Sequence, residues 1–433
     1  MYLILLVALV LRLVSLNQSL WLDEATSALV AKMPVADIFS KFLPGDFHPP
    51  LYYLILDGWV SLFGSGELAI RVPSIIFGIL TVYVVYKIAL SVTSYKSQAT
   101  AVIASVLLAT SGLHVYYSQE ARMYAMATFL VAWMFYSFIK KKWAVFSILL
   151  TAVAMTDYVS LFIIPVFWTI GWKDRKKLAL SHIPLMTVFG IWLPTFFKQL
   201  GVGLGLKTTY WWQILGVANI KNVALIPIKF MIGRISFDDK VVYATVVGLT
   251  ALLFGYLVYK AGKNSKLFLL WLIIPILIGI IVGYKIPTLS YFRFLFVLPA
   301  FYILVAKGVE NMGKYRRLFL CLILGINLIS TMYYLLTPKF QREDWRGAAY
   351  ALGADKIVFP AATQKEALIY YGKGEQIINP SQITPKDKEI WLSRYVWEIF
   401  DSGDSTRKSV EALGYNKASE YNFNGVVLWR YTK

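Results

Sequence analysis

Long apolar segments separated by short charged loops dominate this 433-residue chain. Most are close to the length that an α-helix needs to cross a bilayer while pairing its own backbone groups. The pattern predicts an all-α polytopic membrane protein with about eleven transmembrane helices. They are expected over residues 1–16, 72–91, 98–115, 123–139, 143–157, 159–171, 182–198, 241–259, 267–284, 291–306 and 317–336.

Three segments need separate treatment. Residues 1–16 lack the basic start and cleavage site of a signal peptide, so we expect them to stay as the first span. Residues 48–64 begin at a Pro-Pro pair and contain Asp57, which predicts a helix lying in the outer interface of the first outer loop. Residues 223–232 are too short to span and are expected to be re-entrant or interfacial.

Composition agrees with a membrane protein. Hydrophobic residues make up 58% of the chain and charged residues only 15%, against about 25% in soluble domains. The net charge of +19 does not call for a nucleic-acid partner, because it follows the predicted topology: inner loops hold 16 basic and two acidic residues. This asymmetry predicts a multi-pass protein of the cytoplasmic membrane, with its functional site and C-terminus outside the cytoplasm.

The composition changes near residue 338. Residues 1–337 hold 29 basic and 12 acidic residues, whereas residues 338–433 hold 14 and 12 and contain no apolar run long enough to span. We therefore expect a transmembrane domain over 1–337 and a small extracytoplasmic α/β domain over 338–433. The second domain is expected to have helices at 344–352, 363–371 and 406–413 and strands at 356–359, 390–394 and 426–431. It has no Gly-rich phosphate loop, so no nucleotide cofactor is expected.

Adjacent acids, Asp23 and Glu24, follow the first predicted helix. One carboxylate could accept a proton while the other orients the site or binds a cation. A solvated loop acid beside a helix N-cap remains the alternative.

A second polar group lies at Asp46 and His48, just before Tyr52 and Tyr53. In an extended segment, residues two apart share one side, so the pair could hold a divalent metal cation. Two ligands are too few to specify one, and a histidine that only makes structural hydrogen bonds is the alternative.

Arginines recur at the predicted outer level of the membrane. Arg122 follows Glu120 and precedes Tyr124, and Arg71 and Arg293 lie at outer helix ends. An arginine at the mouth of an apolar cavity suits a phosphate, although an ion pair with Glu120 or a snorkelling side chain would also explain these positions. Arg12, inside the first helix, is expected to be structural, and Asp157 is expected to be solvated.

The order of these motifs resembles the C-type membrane glycosyltransferases, in particular the dolichyl-phosphate-mannose protein mannosyltransferases and the lipid A aminoarabinose transferases. The likeness covers about residues 10–140 and continues more weakly at 291–299 and 344–346. The motifs that carry it are Asp23-Glu24, His48-Pro49-Pro50-Leu51-Tyr52-Tyr53, Arg71-Val72-Pro73-Ser74 and Ser118-Gln119-Glu120-Ala121-Arg122-Met123-Tyr124.

The resemblance implies an inverting hexosyl- or pentosyltransferase that faces outward and uses a polyprenyl-phosphate-linked sugar. Asp23 would be the general base, with Glu24 and Glu120 as the other candidate catalytic acids. The partners would be membrane lipids and a glycan, lipid or protein acceptor. The candidate substrate-binding residues are His48, Tyr52, Tyr53, Arg71, Arg122, Tyr124 and Arg293.

The resemblance also bears on the metal. Where the aminoarabinose transferases have Glu-Lys before the Pro-Pro pair, this chain has Phe47-His48. A phenylalanine cannot replace an acidic ligand, so a metal site would depend on Asp46 as a substitute.

Two other classes of protein remain alternatives. A transporter or flippase of lipid-linked saccharides needs polar residues along a path through the membrane. The ionisable residues here concentrate at the predicted outer surface, which disfavours that class. A membrane scaffold that binds partners through its outer domain is the third alternative.

Overall fold

The computed structural model describes residues 1–92, 97–208, 212, 215–262, 265–360, 364–384 and 386–433. Among these residues, six helices are long and apolar enough to cross a membrane, and a pair bent by 60°, Gln98–Ala109 and Gly112–Ser118, could add a seventh span. The chain therefore has the character of a multi-pass membrane protein. The six helices are Glu67–Val92, Ile183–Gly205, Lys240–Lys260, Lys266–Gly283, Tyr291–Glu310 and Gly313–Leu336.

Every segment predicted to span contains a helix, but the number of eleven spans is not confirmed. Four of the helices are short: Tyr2–Leu13, Tyr124–Ile139, Trp143–Ala154 and Val159–Ile170. At about 1.5 Å per residue, such helices reach roughly 18–24 Å, less than the roughly 30 Å of a hydrocarbon core. Composition marks an apolar segment but does not show where its helix stops.

The segments expected to be interfacial also form short helices. Leu51–Phe63 and Ile220–Ile232 have 13 residues each, and the segment between the first helix and Leu51 forms Leu22–Val30, Val35–Asp37 and a π-helical turn at Ile38–Phe42. None of them is long enough to span, and their depth in the membrane stays a prediction.

The bundle is built around Tyr291–Glu310, most of which is buried within the protein. Arg12, on the first helix, is also completely buried. Its guanidinium donates to the carbonyl oxygens of Ala8 (2.8 Å) and Ala109 (3.3 Å) and lies 2.6 Å from Nδ1 of His114. These contacts supply the partners that the sequence could not name and give Arg12 a structural role.

The C-terminal region contains a five-stranded sheet of order β2-β1-β3-β5-β4. The strands are β1 (Lys356–Val358), β2 (Ile377–Ile378), β3 (Glu389–Ser393), β4 (Asn416–Phe423) and β5 (Val426–Thr432). Strand β1 runs parallel to β2 and β3, whereas β5 runs antiparallel to β3 and β4. The helices are Trp345–Leu352, Glu366–Tyr370, Trp397–Phe400 and Ser405–Ala412.

The sheet contains two strands that the sequence pattern did not predict, β2 and β4. Strand β2 has only two residues, and most of β4 is exposed, so neither shows an alternating apolar pattern. Of the predicted helix at 363–371, the first residue, Thr363, lies outside the described residues. The domain boundary at 338 stays a prediction, and the last long helix ends at Leu336.

The C-terminal region packs directly on the helical region, at the loop after the first helix and the start of the helix Glu67–Val92. Arg346 forms an ion pair with Glu67 at 2.7 Å, and the Leu20 backbone N–H donates to the Tyr371 hydroxyl at 2.8 Å. Arg342, which precedes the first C-terminal helix, forms an ion pair with Glu24 at 3.1 Å. Residues 341–343 thereby reach the polar site described next.

Candidate active site

The adjacent acids Asp23 and Glu24 lie in the first turn of the helix Leu22–Val30, where the helix dipole stabilises negative charge. Neighbouring side chains on a helix point about 100° apart. The Glu24 side chain is therefore fully buried while that of Asp23 is 39% exposed.

Glu24 is the centre of a buried ionic network. Its carboxylate accepts from Arg71 Nε (2.8 Å) and Nη2 (2.5 Å) and from the Ala121 backbone N–H (2.9 Å), and it lies 3.1 Å from Arg342 Nε. Burial opposes ionisation, but Arg71 and Arg342 outweigh it and lower the pKa of Glu24. Because the network holds Ala121, it fixes the connection that carries Glu120 and Arg122.

Arg71 was expected near a lipid phosphate, but the structure commits it to the protein interior. Its five N–H groups make five hydrogen bonds, two to Glu24 and the others to the carbonyl oxygens of Leu16, Gln18 and Ser19. No donor is left for an anion. Arg71 therefore holds Glu24 and the loop after the first helix in place.

Arg122 has a very different environment. Its Nη2 lies 3.6 Å from Asp23 Oδ2, and the only hydrogen bond of its guanidinium among the described residues is a long one, 3.4 Å from Nη1 to the Tyr53 hydroxyl. Its buried Nε has no partner among the described residues. The guanidinium is thus almost unsatisfied, which is costly unless a ligand completes it.

A chain of polar contacts continues from Arg122. The Tyr53 hydroxyl donates to Asp46 Oδ2 at 2.8 Å, and His48 Nδ1 lies 3.4 Å from each Asp46 oxygen. Burial opposes ionisation of Asp46, but His48 and Arg122 outweigh it and lower the pKa of Asp46 to about 2.

The same pair bears on the predicted metal. Asp46 and His48 do lie together, but no group of three His, Cys, Asp or Glu side chains within the described ranges could hold a metal ion. Phe47 between them offers no donor. The residues present therefore do not form a metal site by themselves.

An apolar cavity of about 330 Å³ begins at His48. Two of its polar lining residues correct or extend the sequence analysis. Asp157, expected to be solvated, is buried and accepts from the backbone N–H and hydroxyl of Ser160 at 2.9 and 2.6 Å. Gln199 donates to the backbone oxygen of His48 at 3.0 Å. The cavity is lined by Phe47, His48, Asp157, Tyr158, Val159, Leu161, Phe162, Phe189, Phe196, Gln199, Leu200, Gly203, Leu206, Val282, Ile286, Pro287, Thr288 and Arg293.

Arg293 is the cation of this cavity. Its Nη1 donates to the Pro287 carbonyl oxygen at 2.6 Å, and its buried Nε has no partner among the described residues. The segment before Arg293 is held by Gly216, which has φ +102°. The Leu289 backbone N–H donates to the Gly216 carbonyl oxygen at 2.7 Å. A side chain at Gly216 would collide with Ser290, so glycine is required there.

A second cavity, of about 290 Å³, lies on the Asp23 side and is called the aromatic pocket here. Its rings pack edge-on or tilted, with centroids 5.5 Å apart for Tyr117 and Tyr124 and 5.7 Å apart for Tyr117 and Phe292. Burial raises the pKa of Glu120 in this pocket to about 7. The pocket is lined by Trp21, Asp23, Tyr116, Tyr117, Glu120, Tyr124, Arg234, Tyr291, Phe292, Gln341, Arg342 and Glu343.

The structure thus brings most of the predicted site residues together. Asp23 lines the aromatic pocket, His48 lines the apolar cavity, and Arg122, Tyr53 and Asp46 connect them by contacts of 3.6 Å or less. Tyr52 is buried and lines neither of the two cavities.

Sequence reasoning missed three charged residues of the aromatic pocket: Arg234, Arg342 and Glu343. They lie far along the chain from the early motifs, so no spacing connects them to Asp23. The weak likeness at residues 344–346 was the only signal near Arg342 and Glu343.

Comparisons with known proteins show a family likeness over part of the chain. The family model described as dolichyl-phosphate-mannose-protein mannosyltransferase matches residues 47–200. This match begins after Asp23 and extends beyond the region that carried the motif likeness. No curated protein sequence matches the chain.

Solved structures match nearly the whole chain. ArnT from Cupriavidus metallidurans bound to undecaprenyl phosphate is 11% identical, with a TM-score of 0.59, and the match covers 99% of this chain and 97% of ArnT. The apo structure of ArnT is 12% identical, with a TM-score of 0.55 and the same coverage. The oligosaccharyltransferase AglB from Archaeoglobus fulgidus, in complex with an inhibitory peptide and a dolichol-phosphate, is 13% identical, with a TM-score of 0.52. That match covers 98% of this chain and 73% of AglB.

At these identities the structural matches establish the fold, and the family match adds a likeness in sequence over residues 47–200. Together they confirm the resemblance inferred from the motifs: this chain is similar to the C-type membrane glycosyltransferases, among them the dolichyl-phosphate-mannose-protein mannosyltransferases and ArnT.

Proposed function

We propose that the protein is a membrane glycosyltransferase that moves a sugar from a polyprenyl phosphate to an acceptor on the extracytoplasmic side. One observation carries the proposal. The half-exposed Asp23 carboxylate lies 3.6 Å from Arg122, a buried guanidinium whose N–H groups are almost all unpaired among the described residues. A base and an anion-binding cation are thereby next to each other.

Arg122 and Arg293 hold the donor phosphate. Arginine binds phosphate through parallel N–H groups, so an arginine with free donors can do so and a saturated one cannot. Arg122 and Arg293 each keep an unpaired Nε, whereas all five N–H groups of Arg71 are used. The proposal therefore assigns Arg71 a positioning role.

The apolar cavity receives the first isoprene units of the donor. Its lining is mostly aliphatic and aromatic, with His48 and Arg293 as its basic residues. An apolar tail with an anionic head needs this combination of surfaces. The matches to ArnT bound to undecaprenyl phosphate and to AglB bound to dolichol-phosphate support a donor of this class.

Transfer proceeds by direct displacement. The acceptor oxygen attacks the anomeric carbon, the bond from that carbon to the phosphate oxygen breaks, and its electron pair leaves with the polyprenyl phosphate. Asp23 takes the proton from the attacking hydroxyl, and Arg122 and Arg293 stabilise the charge that develops on the phosphate. Attack opposite the leaving group inverts the anomeric configuration.

The two adjacent acids act differently in this mechanism. Asp23 faces the aromatic pocket and touches the reacting hydroxyl. Glu24 is ionised and sealed among Arg71, Arg342 and Ala121, so it positions the connection that carries Glu120 and Arg122. No step is assigned to a metal, because Asp46 and His48 alone do not provide a ligand set.

A lipid-saccharide flippase is the weaker alternative. It needs polar groups along a path between the membrane faces. The buried cation of the first helix, Arg12, is instead held by Ala8, Ala109 and His114 inside the bundle.

The deciding experiment incubates purified protein in nanodiscs with a panel of undecaprenyl-phosphate and dolichyl-phosphate sugars and measures release of lipid phosphate. Release by the wild type that is lost in Asp23→Asn supports the proposal. Movement of the intact donor between leaflets without any release of lipid phosphate would replace it with the flippase.

A further inference from the structure

The aromatic pocket contains polar groups that neither the fold nor the proposed phosphate site uses. The Oε2 atom of Glu120 is buried and has no hydrogen-bond partner among the described residues. Glu120 itself is only 1% exposed. An unpaired carboxyl oxygen in a buried position is unfavourable, so it marks a place where a ligand can form a hydrogen bond.

Arg234 is the second such group. Its guanidinium stacks 4.1 Å from the centre of the Tyr116 ring and makes no hydrogen bond with the residues that the structure describes. The other arginine of the pocket, Arg342, also stacks on the Tyr116 ring, with its guanidinium 4.6 Å from the ring centre. Unlike Arg234, it forms an ion pair with Glu24. Arg234 therefore offers free donors to a ligand, whereas the charge of Arg342 is already paired with Glu24.

Tyrosine hydroxyls complete the pocket. Tyr117, Tyr124 and Tyr291 line it, and their hydroxyls have no hydrogen bond within the described ranges. Their rings, with Phe292, form one connected cluster of aromatic contacts. The pocket thus combines apolar ring faces with hydroxyl, carboxyl and guanidinium groups at their edges.

We infer that the aromatic pocket binds the acceptor and that this acceptor is a saccharide. A sugar ring has C–H faces that pack on aromatic rings and a rim of hydroxyls that both donate and accept. Glu120, Arg234 and the tyrosine hydroxyls match that rim. The inference deepens the proposed function and rests on it for the role of Asp23.

The position of Asp23 separates acceptor from donor. In an inverting displacement the base acts on the face of the anomeric carbon opposite the leaving phosphate. Asp23 lines the aromatic pocket but not the apolar cavity that contains Arg293. The aromatic pocket is therefore on the attacking side, where the acceptor hydroxyl must be.

The lining also favours a saccharide over a peptide. Extended peptides are usually recognised through main-chain hydrogen bonds along a strand edge. None of the residues that line this pocket belongs to a described strand. A pocket of about 290 Å³ also has room for one or two sugar rings.

The test measures binding directly. Purified full-length protein in nanodiscs is titrated, by saturation-transfer NMR, with methyl glycosides of mannose, galactose, N-acetylglucosamine and glucuronic acid, and with a Ser/Thr-containing peptide. The variants are Glu120→Leu, Tyr117→Phe and, as control, Tyr284→Phe, whose side chain is 64% exposed. Tyr117→Phe removes one hydroxyl and keeps the ring, so it remains informative if Glu120→Leu folds poorly.

We expect at least one glycoside to bind the wild type, with affinity lowered about tenfold or more by Glu120→Leu and about two- to tenfold by Tyr117→Phe. Tyr284→Phe should bind as the wild type does. The inference is overturned if no glycoside binds, if both pocket variants bind unchanged, or if only the peptide binds in a Tyr117-dependent way.

A second arm distinguishes the acceptor from the sugar of the donor. The Kd for undecaprenyl-phosphate mannose is measured for the same variants and should stay within about twofold of the wild type. A parallel loss of donor affinity would show that the pocket holds the donor sugar and would overturn the inference. Failure of the wild type to release lipid phosphate from any donor would refute the proposed function instead, and glycoside binding would report on the pocket separately.

Discussion

The Asp23 carboxylate and the Arg122 guanidinium lie 3.6 Å apart, although 99 positions separate them in the chain. The distance is short enough for strong attraction but too long for a hydrogen bond. Arg122 therefore keeps its donors for another anion, and Asp23 keeps its oxygens for a proton. This geometry lets a base and a phosphate-binding cation operate side by side.

The first prediction contrasts the two adjacent acids. Asp23→Asn should lower kcat about 10²- to 10⁴-fold and leave the melting temperature close to that of the wild type, because Asp23 is half-exposed and makes no hydrogen bond that supports the fold. Glu24→Gln should lower thermal stability instead, since it leaves Arg71 and Arg342 partly unpaired in a buried site.

Asp37→Asn is the matched control, because Asp37 lies in the same segment after the first helix and its ion pair with Lys41 is largely exposed. It should change neither kcat nor stability appreciably. Substantial activity in Asp23→Asn would remove Asp23 from the role of base.

The second prediction contrasts two buried arginines. Arg122→Gln should raise the KM for the lipid donor roughly 10- to 100-fold, the effect of losing a charged hydrogen bond, and should spare the fold. Arg71→Gln should destabilise the protein by about 3–5 kcal/mol, because it leaves the buried Glu24 carboxylate without its main partner. Donor titrations and thermal unfolding measure the two effects, and the reverse pattern would exchange the roles of these arginines.

The third prediction tests the apolar cavity with two glycines of one helix. Gly203 lines the cavity, and a Cβ there would make only an ordinary contact, 3.6 Å from Ile286. Gly203→Leu should fill the cavity and raise the donor KM about tenfold, equivalent to about 1.4 kcal/mol of lost apolar contact.

Gly201→Leu provides the control, because Gly201 is exposed and a Cβ there meets nothing within 4 Å. It should leave the donor KM unchanged. Equal effects of the two substitutions would show that the tail binds elsewhere.

The fourth prediction concerns pH. Burial raises the pKa of Glu120 from 4.5 to about 7, and the nearby Glu24 carboxylate also raises it. Arg342, Arg234 and Arg122 act in the opposite direction but do not outweigh burial. Because the folded-state pKa is the higher one, the unfolded chain releases this proton first as pH rises. Protonated Glu120 therefore contributes to the free energy of unfolding. This contribution is at most about 3 kcal/mol, is complete below pH 4.5 and is lost as pH rises to about 7.

The measurement is the melting temperature of wild type and Glu120→Gln between pH 4.5 and 8. The glutamine variant has no proton to lose at this site, so its melting temperature should fall less than that of the wild type over this range. Parallel curves would show that Glu120 titrates normally.

The sequence predicts the helices of the fold better than it predicts the edge strand. Apolar segments such as 267–284 and 317–336 correspond closely to long helices, because lipid-facing helices require continuous apolar residues. Of the four short helices, those predicted at 123–139 and 159–171 match to within one residue. Those predicted at 1–16 and 143–157 end three residues earlier than expected. The edge strand β4 was missed because its exposed residues carry no alternating pattern.

The site also contains residues that the sequence predicts and residues that it does not. Asp23, Arg122 and Asp46 were predicted from local motifs, and the structure brings them together. Arg71 has a motif as strong as that of Arg122, yet its donors are saturated by Glu24 and backbone oxygens that only tertiary structure supplies. Arg234 had no motif at all, because its role depends on stacking against Tyr116 from a distant segment.

The most direct test is a structure of the protein bound to undecaprenyl phosphate. We predict phosphate oxygens about 3 Å from N–H groups of Arg122 and Arg293, with Asp23 open toward the aromatic pocket. The first isoprene units should lie between Phe162, Phe189 and Ile286. A phosphate bound away from both arginines, or a lipid tail outside the apolar cavity, would contradict this prediction.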